Sequence, residues 1–358
     1  MSTSQLDAYH KGRGAQSNPH NRFFSTLYSD DDADGVDLEY LDAPSPSTQF
    51  LEDYPKKAIS KNDSEDINFE YSVNPYQGCE HGCVYCYARN THEYRGYSAG
   101  LDFERKILVK SNIVHLLEQE INKKNYRPSA IMLSGNTDCY QPIERKLELT
   151  RGLLKLMLKY RHPVSLITKN SLILRDLDIL KPLAELGLVQ VAITINSLNE
   201  KLRQKMEPRT ATAANRLKVI RELADAGVPV RLMCAPIIPG LNQDDVPALI
   251  EAAALQGAKD VSYTVVRLNG ALGPIFTDWI FKAYPNRAQK VLNLISSCHE
   301  GRVNDNRWGT RMRGDGPIAE NIAQLINICR KRYMGDAPTR VLRTDLFAPA
   351  SGKQLPLF

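Results

Sequence analysis

From residue 69 onward, short apolar runs alternate with longer amphipathic stretches. Phe69–Val73, Ala130–Leu133, Val164–Thr168, Val189–Ile195, Val230–Ala235 and Val261–Val266 are compact and rich in Val, Ile and Leu, the signature of buried strands. Between them, apolar residues recur at helical spacing near 111–123, 144–161, 176–186, 211–226 and 244–256. Strands joined by helices must run parallel, because a parallel neighbour requires a long return connection. Runs this apolar expect cover on both faces. An open six-unit barrel and a doubly wound sheet both satisfy the pattern, and either places a site at the carboxyl ends of the strands.

The flanks read differently. Residues 1–64 carry GRGAQSNPHNRF, the acidic run SDDDADGVD and the patch DAPSPSTQF without sustained periodicity. They are expected to form an extended, partly irregular arm, from which Arg13, Asn21 and Arg22 are candidates to reach an active site. Beyond residue 270, helices are expected near 286–299 and 316–333, joined by GRVNDNRWGTRMRGDG. Boundaries follow at 1–64, 65–270, 271–347 and 348–358.

Composition narrows the class. Hydrophobic residues make up 42% of 358 and charged residues 24%, enough for a large core and against wholesale disorder. No apolar stretch approaches the ~18 residues of a membrane span, and the opening MSTSQLDAYHKGRG has no apolar signal segment. The expectation is a soluble, cytoplasmic protein. Neither a Walker A loop nor a Rossmann glycine fingerprint occurs. The net charge of +5 is unevenly placed: residues 301–358 hold ten Lys and Arg against five Asp and Glu, leaving 36 against 36 elsewhere. Arg302, Arg307, Arg311 and Arg313 surround Trp308, a mixture suited to a phosphate backbone and an unstacked base; the alternative is pairing with Asp305 and Asp315.

Of seven cysteines, Cys79, Cys83 and Cys86 fall within NPYQGCEHGCVYCYARN, spaced C-x3-C-x2-C after the first strand. Thiolates at this density suit a soft-ligand metal or cluster. A zinc site would need His81 or His92 as a fourth ligand, and no second cysteine knuckle is present. Three thiolates without a fourth suggest an iron–sulfur cluster with one iron left open.

C-x3-C-x-Tyr-C at the end of the first strand resembles the radical S-adenosylmethionine (SAM) enzymes. The later strand ends SGNTDCYQP, LITKN, ITINS with EPRTATAANRL, and MCAPIIPG are similar to those of the spore photoproduct lyase group, often labelled DNA repair photolyase-like, over about residues 69–270. The resemblance implies a partial (β/α)6 barrel of the radical SAM type, with an N-terminal extended arm and a helical C-terminal extension. It also implies a [4Fe–4S] cluster on Cys79, Cys83 and Cys86, with SAM chelating the open iron and yielding a 5′-deoxyadenosyl radical on reduction. Tyr85 would pack on the adenine. Asn136 and Thr137 would meet the methionyl amino group. Lys169 and Thr194 would line the SAM pocket, and Arg209 would pair with its carboxylate. Tyr87 matches a tyrosine that relays a hydrogen atom, with Tyr85 as its partner. The lyase's donor cysteine falls where this chain has Gly135, leaving Cys139 as the nearest alternative donor. An electron donor such as flavodoxin or ferredoxin is implied as well.

The final Gln354-Leu355-Pro356-Leu357-Phe358 resembles the pentapeptide by which bacterial repair and replication proteins bind the DNA sliding clamp. Together these features point to repair or modification of a nucleic-acid base. RNA, a peptide or a small metabolite remain as other substrates, and a non-enzymatic three-cysteine metal-binding module as the reading from another class.

Overall fold

The computed structural model describes residues 9–23, 47–67, 69–335 and 341–349. Six parallel strands carry the fold: β1 (Tyr71–Val73), β2 (Ile131–Leu133), β3 (Val164–Thr168), β4 (Val189–Thr194), β5 (Val230–Ile237) and β6 (Val261–Val265). They lie side by side in chain order, with Ser60–Lys61 added antiparallel to the free edge of β1. The order decides between the two architectures. A doubly wound sheet reverses direction at a switch point, whereas this one never does. With right-handed crossovers throughout, all the connecting helices pack on one face, and the twisted sheet curls into an open barrel.

Those helices are α1 (Ile113–Ile121), α2 (Leu149–Tyr160), α3 (Leu177–Glu185), α4 (Ala213–Asp225) and α5 (Val246–Leu255), followed by α6 (Leu272–Ala283), α7 (Pro285–Ser297) and α8 (Gly316–Met334). Leu117, Leu153, Leu180, Ile220 and Leu249, one from each of α1 to α5, meet Ile131, Leu166, Val191 and Leu232 of the strands in one continuous core. A small second sheet joins Gln49–Glu52 and Tyr76–Gln77 to Lys106–Val109 beside β1. No helix among the described residues is long and apolar enough to cross a membrane.

Two helical expectations change. The single helix expected over 144–161 is broken at Glu148, which takes φ +51°. Glu144, buried at the start of the short helix Glu144–Leu147, turns its carboxylate onto the free amides of the next helix, accepting from Thr150 N at 3.0 Å and Arg151 N at 3.3 Å. It thus serves as a cap from a distance. Helix α6 was not anticipated; Gly273 and Pro274 lie in its first turn, where proline costs a helix nothing. Leu272, Ile275, Phe276, Trp279 and Ile280 of this helix are buried, and the Trp279 indole donates to Lys205 O at 3.0 Å.

The C-terminal segment docks on the body through His162. Its Nε2 meets the Tyr126 hydroxyl at 2.7 Å, its Nδ1 meets Pro163 O at 2.9 Å, and Phe347 stacks edge-on against its ring at 5.3 Å. A neutral imidazole satisfies both bonds, and burial holds the pKa down to about 4. The sign follows directly. Above ~6.5 both states are neutral; as pH falls from ~6.5 to ~4 only the unfolded chain gains the proton, so stability is lost across that window. Denaturant titrations at several pH values should show His162→Gln removing about 3 kcal/mol of the wild type's decline between these limits. An unchanged decline would show that this imidazole is not held neutral.

Candidate active site

The loop after β1 carries the three cysteines, and its backbone is fastened at nearly every residue. Cys79 N donates to Phe103 O at 2.9 Å, and Val84 N to Met206 O at 3.0 Å. Glu80 N donates to Gln141 Oε1 at 3.0 Å, and Gln141 Nε2 returns to Gly78 O at 3.1 Å. Gly78 and Gly82 take φ of +81° and +65°, conformations that only glycine adopts cheaply. The Met206 carbonyl belongs to helix Glu200–Met206, which α6 seats through Trp279. Outlying helices therefore set the loop's shape.

Cys79 and Cys83 are buried, Cys86 is half-buried, and none is in a disulfide. Burial pushes the Cys79 and Cys83 thiols up, and neighbouring thiols add to this. Thiolates here need compensating cations. Lys169, at the end of β3, is one: burial opposes its charge, but Cys83, Glu207 and Asp138 outweigh that and hold the ammonium protonated. A [4Fe–4S] cube takes each thiolate at a separate corner. The three unbridged thiols act electrostatically on one another, with Lys169 beside Cys83 and Cys86, and fit such a cluster.

Behind the loop, the strand ends form a polar shell. Asp138, after β2, accepts from Thr168 Oγ1 and Lys169 N, each at 2.8 Å, and lies 3.3 Å from His81 Nδ1. Burial pushes its carboxyl up, but His81 and these donors prevail and hold it at about 2. The Tyr85 hydroxyl donates to Glu207 and accepts from Asn196 Nδ2 at 3.1 Å, with the Lys169 ammonium 6.0 Å from its ring. Glu207 in turn binds Arg216 at 2.6 Å, and Arg216 reaches the Thr194 carbonyl at 2.7 Å. Glu207 and Arg216 have almost no exposed surface, so each is tenable only through the other.

The expected residues are thus distributed as follows. Lys169 and Tyr85 stand together beside Cys83. Asn136 N donates to Asn74 Oδ1 at 2.8 Å, and Thr137 Oγ1 to Tyr76 O at 2.7 Å, linking β2 to the cysteine loop. Thr194 Oγ1 is buried without a partner at the end of β4, as a hydroxyl awaiting a ligand would be. Arg209 donates its backbone N–H to His81 O at 3.3 Å, and its guanidinium neighbours Arg13 and Glu80. Tyr87 is 54% exposed, and its hydroxyl donates to Gly135 O at 2.6 Å. Cys139 lies wholly inside the main core, where it has no surface through which to meet a substrate.

Of the two readings of the arginine segment, pairing is the one seen at Arg307. Arg307 pairs with Asp305 and Asp315, both at 2.7 Å, and Arg311 pairs with Asp66, so these charges are spent within the fold. Arg313 lies over the Tyr263 ring at 5.4 Å. Trp308 remains 52% exposed with the Arg311 guanidinium 4.3 Å from its ring centre. The segment joins both ends of the sheet: Val265 N of β6 donates to Met312 O at 2.9 Å, and Gly309 N to Asp66 Oδ1, before β1, at 2.7 Å.

Sequence reasoning passed over Glu207, Arg216, Asp138 and the buried pair Arg89–Glu104. Arg216 left a signal: it shares the inward face of α4 with Ala213, Val219 and Ile220, where a charge is out of place unless partnered.

A family model described as the radical SAM superfamily matches residues 73–253. An uncharacterised protein of Mycobacterium tuberculosis is 32% identical over 242 residues, covering 67% of this chain and 71% of that protein. One from Methanocaldococcus jannaschii is 32% identical over 172 residues, covering 48% and 62%. Among solved structures, spore photoproduct lyase complexed with dinucleoside spore photoproduct is similar at 20% identity and a TM-score of 0.57, covering 80% of each chain. A mutant of that lyase with bound AdoMet and the same dinucleoside is similar at 19% identity, with a TM-score of 0.57 and 82% of each chain covered. At these identities the likeness to the lyase is one of fold.

Anaerobic reconstitution with iron and sulfide should separate the cysteines. Cys79→Ala, Cys83→Ala and Cys86→Ala should each lose the brown chromophore, while Cys139→Ala keeps the full iron content and loses only the stability of a small core side chain, about 1 kcal/mol. Retention of the cluster by any of the first three would break the assignment.

Proposed function

The chain belongs to the radical SAM superfamily, and from that premise we propose that it repairs or modifies a nucleic-acid base. The family's [4Fe–4S] cluster and SAM supply a 5′-deoxyadenosyl radical on one-electron reduction, with flavodoxin or ferredoxin as the proposed donor. What this chain's residues contribute can be argued from their positions. Cys79, Cys83 and Cys86 would ligate the cluster, with Lys169 offsetting part of the thiolate charge. Asn136, Thr137, Lys169, Thr194 and Arg209 would hold SAM by its amino, carboxylate and ribose groups, and Tyr85, fixed by Glu207 and Asn196, would bound the adenine.

Tyr87 carries the reading. Its hydroxyl donates to the carbonyl of Gly135 at 2.6 Å and the residue is half exposed beside the cluster loop, so a base bound over that loop would lie against it. A Cβ at Gly135 would come within 2.9 Å of Ser72 Cβ, tighter than real contacts. A thiol there would require a shift of the strand, and this supports a reaction that differs from the lyase's in its final hydrogen donor. We assign the hydrogen relay to Tyr87.

The substrate class rests on three supports: the fold likeness to a lyase solved with a dinucleoside photoproduct, the basic balance of residues 301–358, and the exposed Trp308 held flat by Arg311. With Arg307 and Arg311 already paired, base stacking on Trp308 is favoured over a phosphate clamp. Gln354–Phe358, the proposed sliding-clamp ligand, lies outside the described residues; an extended peptide with two apolar anchors fits a cleft of that kind.

Reduced enzyme should cleave SAM faster with damaged or single-stranded DNA than without it. Tyr87→Phe should still release 5′-deoxyadenosine but lose conversion of the base by about 100-fold. SAM cleavage indifferent to any nucleic acid, with a peptide or metabolite active instead, would reject the substrate class. For the tail, deletion of Leu357-Phe358 should abolish clamp binding in a peptide-competition assay; undiminished binding would reject that assignment.

A further inference from the structure

Residues 13–22 follow an irregular path over the cysteine loop and the helices that follow it. The approach is closest at Gly14, where a Cβ would lie 1.7 Å from Gly82 O and 3.0 Å from Val84 N, the residues on either side of Cys83. Only glycine permits this contact. The next residue, Ala15, is fully buried and packs in one apolar cluster with Cys83, Val84 and Tyr85.

Both strands of this contact are tied to the same carboxylate. Glu104 accepts from Ala15 N at 2.8 Å and Gly14 N at 3.3 Å, while pairing with Arg89 at 2.6 Å. Arg89 passes the tie to the loop, donating from Nε to Cys83 O at 2.9 Å. Farther along, Asn18 and Asp102 exchange two bonds, of 3.0 and 3.4 Å, and Ser98 Oγ donates to Pro19 O at 2.7 Å. A Cβ on Gly100 would lie 2.1 Å from Ser17 O, a second place where two backbones touch. Arg22 closes the far end on Glu93, at 2.5 Å.

We propose that residues 13–22 are a strap that completes the cluster socket, shielding Cys83 from solvent and holding the loop in its ligating shape. The 6% exposure of Cys83 is achieved with Gly14 and Ala15 lying on it. Without the strap, Gly82 O and the Glu104 carboxylate are open to water on that side, and the iron held by Cys83 is within reach of solvent-borne reagents. The inference is independent of the substrate: it concerns how long the cluster lasts, not what it acts on.

The full-length protein, reconstituted anaerobically, tests it. The readouts are the initial iron content, the rate of iron transfer to a ferrous chelator, and tryptic cleavage after Lys11 and Arg13, sites that every variant keeps. Gly14→Val forces the strap away from Gly82. The double variant Asn18→Ala, Arg22→Ala frees it far from the cysteines, so a folding failure in the first leaves the second. Both should begin with full iron, release it about tenfold faster and be cut more readily, because a local opening has been made cheaper. His162→Gln, which unsettles the C-terminal segment instead, should match the wild type in all three readouts and so exclude general destabilisation as the cause. Increased cleavage with an unchanged rate of iron loss overturns the shielding role, and unchanged cleavage in the double variant overturns the strap itself. A wild-type protein that takes up no iron would instead refute the cluster assignment.

Discussion

The buried pair of Arg89 and Glu104 is the interaction on which the site depends. Both side chains are wholly inaccessible to solvent, a placement that costs several kcal/mol per ion before any compensation. The compensation is unusually complete. Arg89 donates to Cys83 O, Ala99 O and Gly100 O as well as to Glu104, and Glu104 accepts two backbone amides of the N-terminal segment. One ion pair therefore sets the positions of the cysteine loop, the turn at residues 99–100 and the strap together. Breaking it by removing either partner would leave an uncompensated charge in the interior, worth about 3–5 kcal/mol.

A second tier of paired charges surrounds the thiols. Lys169 and Asp138, after β3 and β2, and Glu207, after helix Glu200–Met206, lie around the loop, and each has neighbours of opposite sign that hold it ionised despite burial. This is the electrostatic setting that thiolates and a zwitterionic cofactor need: fixed charges of both signs, with little water to screen them. The open barrel serves that purpose because parallel strands in unbroken order bring their carboxyl ends to one rim.

Much of this was legible in the sequence. The six strand runs were recognisable because buried parallel strands are nearly continuous in Val, Ile and Leu, and Val164–Thr168 has the bounds expected of it. The cysteine spacing was legible because ligation constrains local sequence. Less readable were features set by long-range pairing. Arg89 and Glu104 are ordinary helical residues until folding brings them together, and no local pattern tells a buried pair from a solvated one. For Arg307, pairing with Asp305 and Asp315 was one of the two readings the sequence offered; Asp66, the partner of Arg311, lies 245 residues away and no local pattern points to it. Gly14 gave no hint of its role, since the need for glycine comes from Gly82 approaching from across the fold.

In the proposed function, a radical generated beside the Cys79–Cys86 loop takes a hydrogen atom from a nucleic-acid base. Mass analysis of the 5′-deoxyadenosine formed with an oligonucleotide deuterated at its bases, in otherwise protonated buffer, tests this most directly. Deuterium should appear in the 5′-deoxyadenosine and require the intact three-cysteine loop. Product that carries only solvent or protein hydrogen, at the same rate with and without the oligonucleotide, would contradict the claim.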